Sequence, residues 1–261
     1  MSPPGRQELT YREGNLPGDE LVRRVVAGAG TMLAPGGTMQ VLANWAITDE
    51  PWRERLRGWI EPTGCDALVL QRELLDPYEY IEMWLTDAGL AGSPDYLDRY
   101  REWLSYFVRL GITGVGMGGF SLRAGGGGVP SLRVEEWPHQ VHQPVGDALA
   151  AHWRGVDLAA VSDETLLGRA WKLDARVAQE TLGRPGATDP EHVVLRQGYG
   201  LGRAVEVDTA LGAVLGACDG ELPLGRLVAA VASLLDADGP ALVGELTPRI
   251  RELIVQGFLT D

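Results

Sequence analysis

The sequence contains little positive charge, little cysteine and no long apolar run, and each shortage removes a class of protein. There are 23 basic residues against 36 acidic ones, which gives a formal net charge of −13, and Lys172 is the only lysine. Neutralising phosphates with basic side chains supplies most of the affinity of sequence-independent nucleic-acid binding. We therefore expect no strong binding to nucleic acid.

Cys65 and Cys218 are the only cysteines, and neither belongs to a CxxC pair or to a metal-ligand pattern. This spacing favours two buried thiols over a disulfide. The close histidine pair, His139 and His142, lies in a Pro-bounded segment without a nearby cysteine. We predict no metal site from either set.

The apolar runs, such as Val41–Ala43, are far shorter than the roughly 18–20 residues of a membrane span. No charged and then apolar leader opens the sequence, so we expect a cytoplasmic protein that does not associate with membranes. At 261 residues and 45% hydrophobic content, the chain can bury the core of one large or two small domains.

The first part of the chain alternates helical and strand-like segments. A helical pattern begins near Asp19 and stops at Pro35-Gly36-Gly37, and the nearly continuous apolar segment Thr38–Ile47 follows. A second helical pattern covers Trp52–Ile60, and Cys65–Leu70 is again apolar. This order predicts an α/β fold with a parallel sheet and right-handed crossovers.

Aromatic residues at helical spacing predict two further helices between residues 77 and 110. Strand character returns at Ile112–Leu122, and Val129–Val134 is a candidate to pair with it across the glycine run 125–128. We place a domain boundary at this run. It gives a first domain over residues 1–124, a linker and poorly assigned segment over 125–190, and a second domain over 191–261.

The second domain has a clearer pattern from Asp208 onward. Three short apolar helical patterns follow one another, the second starting at Pro223 and the third at Pro240, before Gly257-Phe258-Leu259 returns as a strand. Three helices closed by a hairpin edge outline a winged-helix-like domain, of small α+β type. The second of these helices carries a single basic residue, Arg226, which argues against reading of DNA base edges.

Two glycine-rich segments imitate nucleotide-binding motifs. Gly114–Gly119 satisfies G-x-G-x-x-G, but the dinucleotide fingerprint needs a helix after the glycines, and Phe120–Arg123 leads into more glycine instead. We interpret it as a glycine-rich strand against which neighbours pack closely. Gly198–Gly202 lacks the lysine of a phosphate loop. No Ser-His-Asp set with known spacing is recognisable.

Four segments resemble one known family: Leu9–Arg12 with Leu16–Glu20, then Leu42–Trp45, then Asp76–Leu85. They are similar to actinobacterial class I methyltransferases that use S-adenosylmethionine and carry an Asn-Pro-Pro-Tyr/Phe motif. The resemblance covers roughly residues 5–125, and the tail resembles the winged-helix-like domain of the same family. It implies the C-terminal half of a Rossmann-like methyltransferase sheet, with a helical insert at about 77–110, followed by the small accessory domain.

The resemblance also implies that the chain opens in the middle of a catalytic domain, with the cofactor-binding half missing. S-adenosylmethionine is the cofactor of the family, and we expect none to bind to this chain alone. Ser2-Pro3-Pro4 looks like a degenerate copy of the Asn-Pro-Pro motif, whose true position would lie upstream of Met1. We therefore carry over no catalytic and no cofactor-binding residue.

Ligands of open parallel sheets bind beyond the carboxyl ends of the strands. The loop Ser2–Gly18 and the end of the strand at Asn44-Trp45 would project to that edge together. We therefore name four candidate substrate-pocket residues: Tyr11, Arg12, Asn44 and Trp45. For Trp45 the alternative is a buried core position under the helical insert.

The resemblance thus implies an S-adenosylmethionine-dependent N-methyltransferase that modifies a protein or a nucleic acid, present as a fragment that we expect to be inactive alone. The alternative is a non-enzymatic protein-interaction module derived from a methyltransferase. A small unrelated α/β enzyme would need a catalytic set that is not recognisable. Expected partners are the missing N-terminal half or a protein substrate, and self-association through a sheet edge left unpaired. The methyl acceptor, the oligomeric state and the role of residues 137–192 stay open.

Overall fold

A computed structural model describes residues 1, 3, 16–125, 128–186 and 190–261. The chain divides into two compact units, Met1–Pro138 and His139–Asp261. It is a mixed α/β protein whose described strands form three sheets. None of the described helices has the length and apolar character needed to cross a bilayer.

The first unit contains five α-helices, a short 3-10 helix at Glu61–Thr63 and four strands among its described residues. Its helices are α1 (Glu20–Ala27), α2 (Ala29–Met32), α3 (Trp52–Ile60), α4 (Pro77–Asp87) and α5 (Tyr96–Arg109). Its strands are β1 (Thr38–Ile47), β2 (Cys65–Leu75), β3 (Gly114–Ala124) and β4 (Leu132–Glu136). The predicted strand Thr38–Ile47 and the predicted helix Trp52–Ile60 are confirmed.

The four strands form one sheet in the order β1-β3-β2-β4. β3 runs antiparallel to both β1 and β2, so β1 and β2 point the same way, and β4 is parallel to β2. The sheet is therefore mixed, and the expectation of an all-parallel sheet is wrong for β3. Val115 lies opposite Leu75, so β3 begins beside the end of β2. The helices α4 and α5 therefore connect two antiparallel neighbours, β2 and β3, and do not form the crossover that joins parallel strands.

The expected hairpin between β3 and the segment after the glycine run is also wrong. β4 pairs with β2, with Val134 opposite Val69. The reason is that β3 already has β1 on one side and β2 on the other, so it offers no free edge. Since β4 completes the first sheet, the first unit ends at Pro138 and not at the glycine run.

Helices cover both faces of this sheet. On one face, α1, α2 and α3 enclose a core that includes Val26, Ala29, Leu56, Trp59 and Phe120. On the other face, α4 and α5 pack over the end of the sheet, where Tyr80, Ile81 and Phe107 meet Ala46 and Val115. The two helices predicted between residues 77 and 110 are thus confirmed as α4 and α5.

The second unit contains five helices and six strands among its described residues. Its helices are α6 (Gly146–Ala159), α7 (Asp163–Gly168), α8 (Thr209–Gly216), α9 (Leu224–Leu234) and α10 (Gly239–Val255). Its strands are β5 (Ala170–Leu173), β6 (Val177–Leu182), β7 (His192–Gln197), β8 (Ala204–Val207), β9 (Asp219–Pro223) and β10 (Leu259–Thr260). They form two three-stranded sheets, β10-β5-β9 and β6-β7-β8.

The segment 125–190 is not a linker, because it supplies β4 to the first unit and α6, α7, β5 and β6 to the second. The fully buried Trp171 of β5 shares one core with Leu246 and Ile250 of α10. The three helices and final strand predicted after Asp208 are observed as α8, α9, α10 and β10. β5 separates β10 from β9, an arrangement that the tail sequence by itself did not predict.

Candidate functional site

Asn44 and Trp45 lie near the carboxyl end of β1, and as neighbours in a strand they point to opposite faces of the sheet. Asn44 faces α4, where its Nδ2 donates a hydrogen bond of 3.2 Å to the Tyr80 hydroxyl. Trp45 is fully buried on the other face. The structure therefore places the two candidates in different environments.

Trp45 belongs to the core under α1–α3 and not to a core under the helical insert. Its Nε1 donates a 3.0 Å hydrogen bond to Oε1 of the buried Gln71. Its ring stacks on Trp52 at 6.1 Å and meets Phe120 edge-on at 5.5 Å. Because Trp45 has no exposed surface, its side chain cannot contact a substrate directly.

The hydroxyl of Tyr80 collects hydrogen bonds at the end of β1. Tyr80 is buried on α4, a helix that begins with Pro77 and is capped by Asp76, whose side chain accepts from the Glu79 N–H at 2.8 Å. The amino group of Met1 donates to the Tyr80 hydroxyl at 2.6 Å. Burial lowers the pKa of that amino group to about 6, although the Asp19 carboxylate acts in the opposite direction.

Asp19 ties the start of α1 to the end of β1. Its carboxylate accepts the Ala46 N–H at 2.7 Å and two hydrogen bonds from Arg55, at 2.6 and 2.8 Å. Arg55 in turn donates to the Ala46 carbonyl oxygen at 3.0 Å. A second tyrosine, Tyr106 of α5, accepts the Gly18 N–H at 2.6 Å. This end of the sheet is therefore closely hydrogen-bonded to the segment before α1.

Tyr11 and Arg12 lie outside the described residues. The structure brings Asn44 together with Tyr80, which the sequence did not single out. Of the two tyrosines near the start of α4, Tyr78 is 54% exposed and Tyr80 is 1% exposed. Tyr80 contacts Trp84, four residues further on, with ring centroids 6.0 Å apart, and this i, i+4 spacing is the signal that would have pointed to Tyr80.

The glycine-rich segment Gly114–Gly119 lies inside β3, as predicted, with β1 and β2 on its two sides. A Cβ at Gly116 would overlap Trp45 and Gln71, and one at Gly118 would overlap the Leu70 carbonyl oxygen. The space above these glycines is filled by protein. The described residues of this segment therefore do not fit S-adenosylmethionine.

The second glycine segment, Gly198–Gly202, joins β7 to β8. Gly200 and Gly202 have positive φ values of 54° and 63°, so they serve a tight connection. The buried Gln197 beside it donates its backbone N–H to the Arg203 carbonyl oxygen at 2.8 Å, and its side-chain Oε1 accepts the Arg203 N–H at 3.3 Å. Its Nε2 donates to the Gln256 carbonyl oxygen at 2.9 Å. This geometry is that of a structural loop.

Metal ligands and reactive thiols are not assembled in the part of the chain that the structure describes. No group of three His, Cys, Asp or Glu side chains could hold a metal ion there. Cys65 and Cys218 are free and buried. Burial, assisted by the neighbouring Asp219, raises the pKa of the Cys218 thiol to about 11, which suppresses its nucleophilic form.

The comparisons with known proteins concern mainly the second unit. A family model described as "Domain of unknown function (DUF7782)" matches residues 151–261, so this part of the chain is similar to that family. The match begins inside α6 and runs through β10. Among curated proteins there is no match.

Proposed function

We propose that the first unit is the C-terminal half of a class I methyltransferase sheet, and that the protein takes part in N-methylation. The observation that carries the proposal is the position of β3, which lies antiparallel between the parallel strands β1 and β2. In class I methyltransferases the last strand is inserted in this way between the fifth and sixth strands. The order of elements from α1 to β3 agrees with this assignment.

Asn44 is the side chain best placed to hold a substrate. Its Nδ2 donates to Tyr80, and within the described residues its Oδ1 accepts no hydrogen bond. Asn44 is partly exposed at the carboxyl end of β1, where open sheets bind their ligands. Its carbonyl oxygen can accept a hydrogen bond from a substrate N–H, so we assign Asn44 as a positioning residue for a nitrogen acceptor.

A protein is the favoured substrate over a nucleic acid. The net charge of −13 disfavours approach to a phosphate backbone. An amide or amine of a protein supplies the N–H donor that Asn44 requires. Positioning of the nitrogen is the main contribution that this half of the sheet would make to the transfer.

The cofactor has to be held by another half-sheet, since the described glycine segments do not fit it. That half would adjoin β1, the outermost strand beside β3. A longer polypeptide or a second chain could provide it. S-adenosylmethionine supplies the methyl group when bound, and the residues of this chain would orient the acceptor.

For the second unit we propose a winged-helix-like accessory domain that contacts protein. The helices α8, α9 and α10, with β9 and β10, follow the order of that fold. Arg226 is the one basic residue of α9, which is otherwise mostly apolar. Micromolar binding of this unit to random duplex DNA at 150 mM salt would contradict the proposal, because such binding needs basic contacts to phosphate.

The test of the methyltransferase proposal compares two polypeptides by calorimetric titration with S-adenosylmethionine. The present chain should show no binding, and a longer chain that includes the coding sequence upstream of Met1 should bind with a dissociation constant below about 100 µM. In the longer chain, Asn44→Ala should lower methyl transfer to a protein substrate without changing cofactor affinity. Cofactor binding by the present chain alone would overturn the half-sheet assignment.

A second candidate, a non-enzymatic interaction module, is favoured by the uncharged outer strand of the sheet. β1 contains no charged residue over its ten positions. If the longer chain also failed to bind the cofactor while the present chain bound a protein partner, the module would be preferred.

A further inference from the structure

The outer edge of β1 carries backbone groups that no described strand uses. β1 is the outermost strand of the described sheet, and its odd-numbered residues bond toward β3. The Ile47 carbonyl oxygen, for example, accepts the N–H of Thr113, the residue before β3, at 2.8 Å. Even-numbered residues point outward, as Ala46 shows by bonding to Asp19 and Arg55. Because directions alternate along a strand, Thr38, Gln40, Leu42 and Asn44 also direct their N–H and C=O groups outward.

Among the residues that the structure describes, this edge lacks the devices that usually keep edge strands apart. The strand has no charged residue and no proline, and its pairing with β3 runs without a bulge from Thr38 to Ile47. Leu42, in the middle, is 93% exposed. The opposite edge of the same sheet is protected, because β4 carries Arg133, Glu135 and Glu136.

We propose that the outer edge of β1 pairs antiparallel with β1 of a second copy of this chain, giving a two-fold symmetric dimer with a continuous eight-stranded sheet. The unused outward groups run from Thr38 to Asn44, and Val41 is the midpoint of that segment. A two-fold axis at Val41 pairs Thr38 with Asn44 and Gln40 with Leu42 across the interface. All four outward residues are then used, which gives about eight backbone hydrogen bonds.

The hydrogen bonds that Ala46 already makes limit the register of this pairing. A shift of two residues toward the carboxyl end would place Gln40 opposite Ala46, whose N–H and C=O are already bonded to Asp19 and Arg55. With the axis at Val41, the two exposed Leu42 side chains are diagonal neighbours on one face, within reach of each other. The polar Thr38 and Asn44 face each other at the ends of the pair.

Two copies can pair at this edge although each chain carries a net charge of −13, because the charges lie outside the paired segments. The paired segments are themselves uncharged, so like charges do not meet at the interface. The remaining repulsion acts over longer distances and is screened by salt. Dimerisation should therefore strengthen as ionic strength rises, whereas an interface built on salt bridges would weaken.

The first experiment is sedimentation velocity of the full chain between about 1 and about 200 µM, since a short strand pair makes a small and reversible interface. We expect the dimer fraction to rise with protein concentration and with salt. Leu42→Lys should shift the chain to monomer across this range. The matched control Leu97→Lys, at another exposed leucine on α5, should leave the dimer unchanged. A wild-type monomer throughout, or equal loss in both variants, would overturn the proposal.

The second experiment tests the register by oxidation of variants that each carry one added cysteine. Two Val41 residues on the axis would form a non-hydrogen-bonded pair with Cα atoms about 4.5 Å apart, a distance that a disulfide can span. Val41→Cys should therefore cross-link the dimer, and Ala43→Cys should not, because its two copies would be about 14 Å apart along the strands. Cys65 and Cys218 are buried and should not contribute. Preferred cross-linking of Ala43→Cys would refute this register.

The proposal is separable from the proposed function. β1 has one edge that no described strand uses, so a second copy and a cofactor-binding half-sheet would compete for it. The dimer tests need neither S-adenosylmethionine nor a longer chain. A monomer that recruits a separately produced half-sheet through Leu42 would overturn the dimer and leave the methyltransferase proposal standing.

Discussion

The indole ring of Trp45 lies against the bare backbone of Gly116, its partner across the β1–β3 ladder. A Cβ at Gly116 would overlap the indole nitrogen, which donates to Gln71 in the core. Two positions further along, a Cβ at Gly118 would lie 2.9 Å from the end of the same ring. Gly116 and Gly118 of β3 are therefore a steric requirement of the Trp45 side chain.

We expect Gly116→Ala to lower the free energy of unfolding by about 2–4 kcal/mol, because the added methyl group must displace the buried indole or its hydrogen bond. The matched control is Gly58→Ala in α3, where a Cβ meets nothing within 4 Å. That variant should gain about 0.5–1 kcal/mol from helix propensity. Urea unfolding of the three proteins measures both effects, and equal stability of wild type and Gly116→Ala would contradict the packing argument.

The glycine segment also shows how far the sequence could predict this fold. The segment lacks a following helix, and on that basis the sequence correctly predicted a strand instead of a nucleotide loop. The neighbours of that strand were not predictable, because strand order depends on contacts distant in sequence. The chain passes through α4 and α5 and returns beside the end of β2, where β3 pairs with β2. Because β3 then has a strand on each side, β4 pairs with the free edge of β2.

The Asp19 carboxylate accepts hydrogen bonds from both the Ala46 N–H and the Arg55 guanidinium. Asp19→Ala should lower the free energy of unfolding by about 2–4 kcal/mol, because the half-buried Arg55 guanidinium and the Ala46 N–H both lose an acceptor. Asp98→Ala is the control, since Asp98 forms an exposed ion pair with Arg101. Thermal or urea unfolding should show little change for the control. A similar loss for both variants would mean that the buried pair adds nothing specific.

The candidate site was only partly predictable for a related reason. The sequence pointed to Asn44 and Trp45 together, because they are adjacent residues near the carboxyl end of β1. The sequence does not state which face carries which helices, and this decides that Asn44 meets Tyr80 while Trp45 is buried. Tyr80 itself lies in an aromatic-rich helix, and the sequence does not distinguish a tyrosine whose hydroxyl accepts hydrogen bonds from one that only fills the core.

Cys218 should react very slowly with thiol reagents while the protein is folded. Its pKa of about 11, raised by burial and by Asp219, leaves roughly one thiolate in a thousand at pH 8. In a Cys65→Ala variant, labelling by an aromatic disulfide reagent should be slow at pH 8 and become fast when urea unfolds the chain. The native rate should rise with pH because the thiolate fraction rises. Rapid stoichiometric labelling of the folded protein at pH 8 would show that the thiol is accessible and ionised.

The hydroxyl of Tyr80 can be removed without changing the shape of the ring. Tyr80→Phe takes away the acceptor of the Asn44 Nδ2 and of the Met1 amino group, so we expect a loss of about 1–3 kcal/mol in the free energy of unfolding. The Asn44 side-chain amide resonances should also move in nitrogen–proton correlation spectra, because their hydrogen bond is lost. Tyr78→Phe is the matched control: it lies two residues earlier on α4, is 54% exposed, and should change neither quantity. If the Asn44 amide resonances stayed in place in Tyr80→Phe, the Tyr80 hydroxyl would not orient this amide, and the assignment of its Oδ1 to a substrate N–H would lose its structural basis.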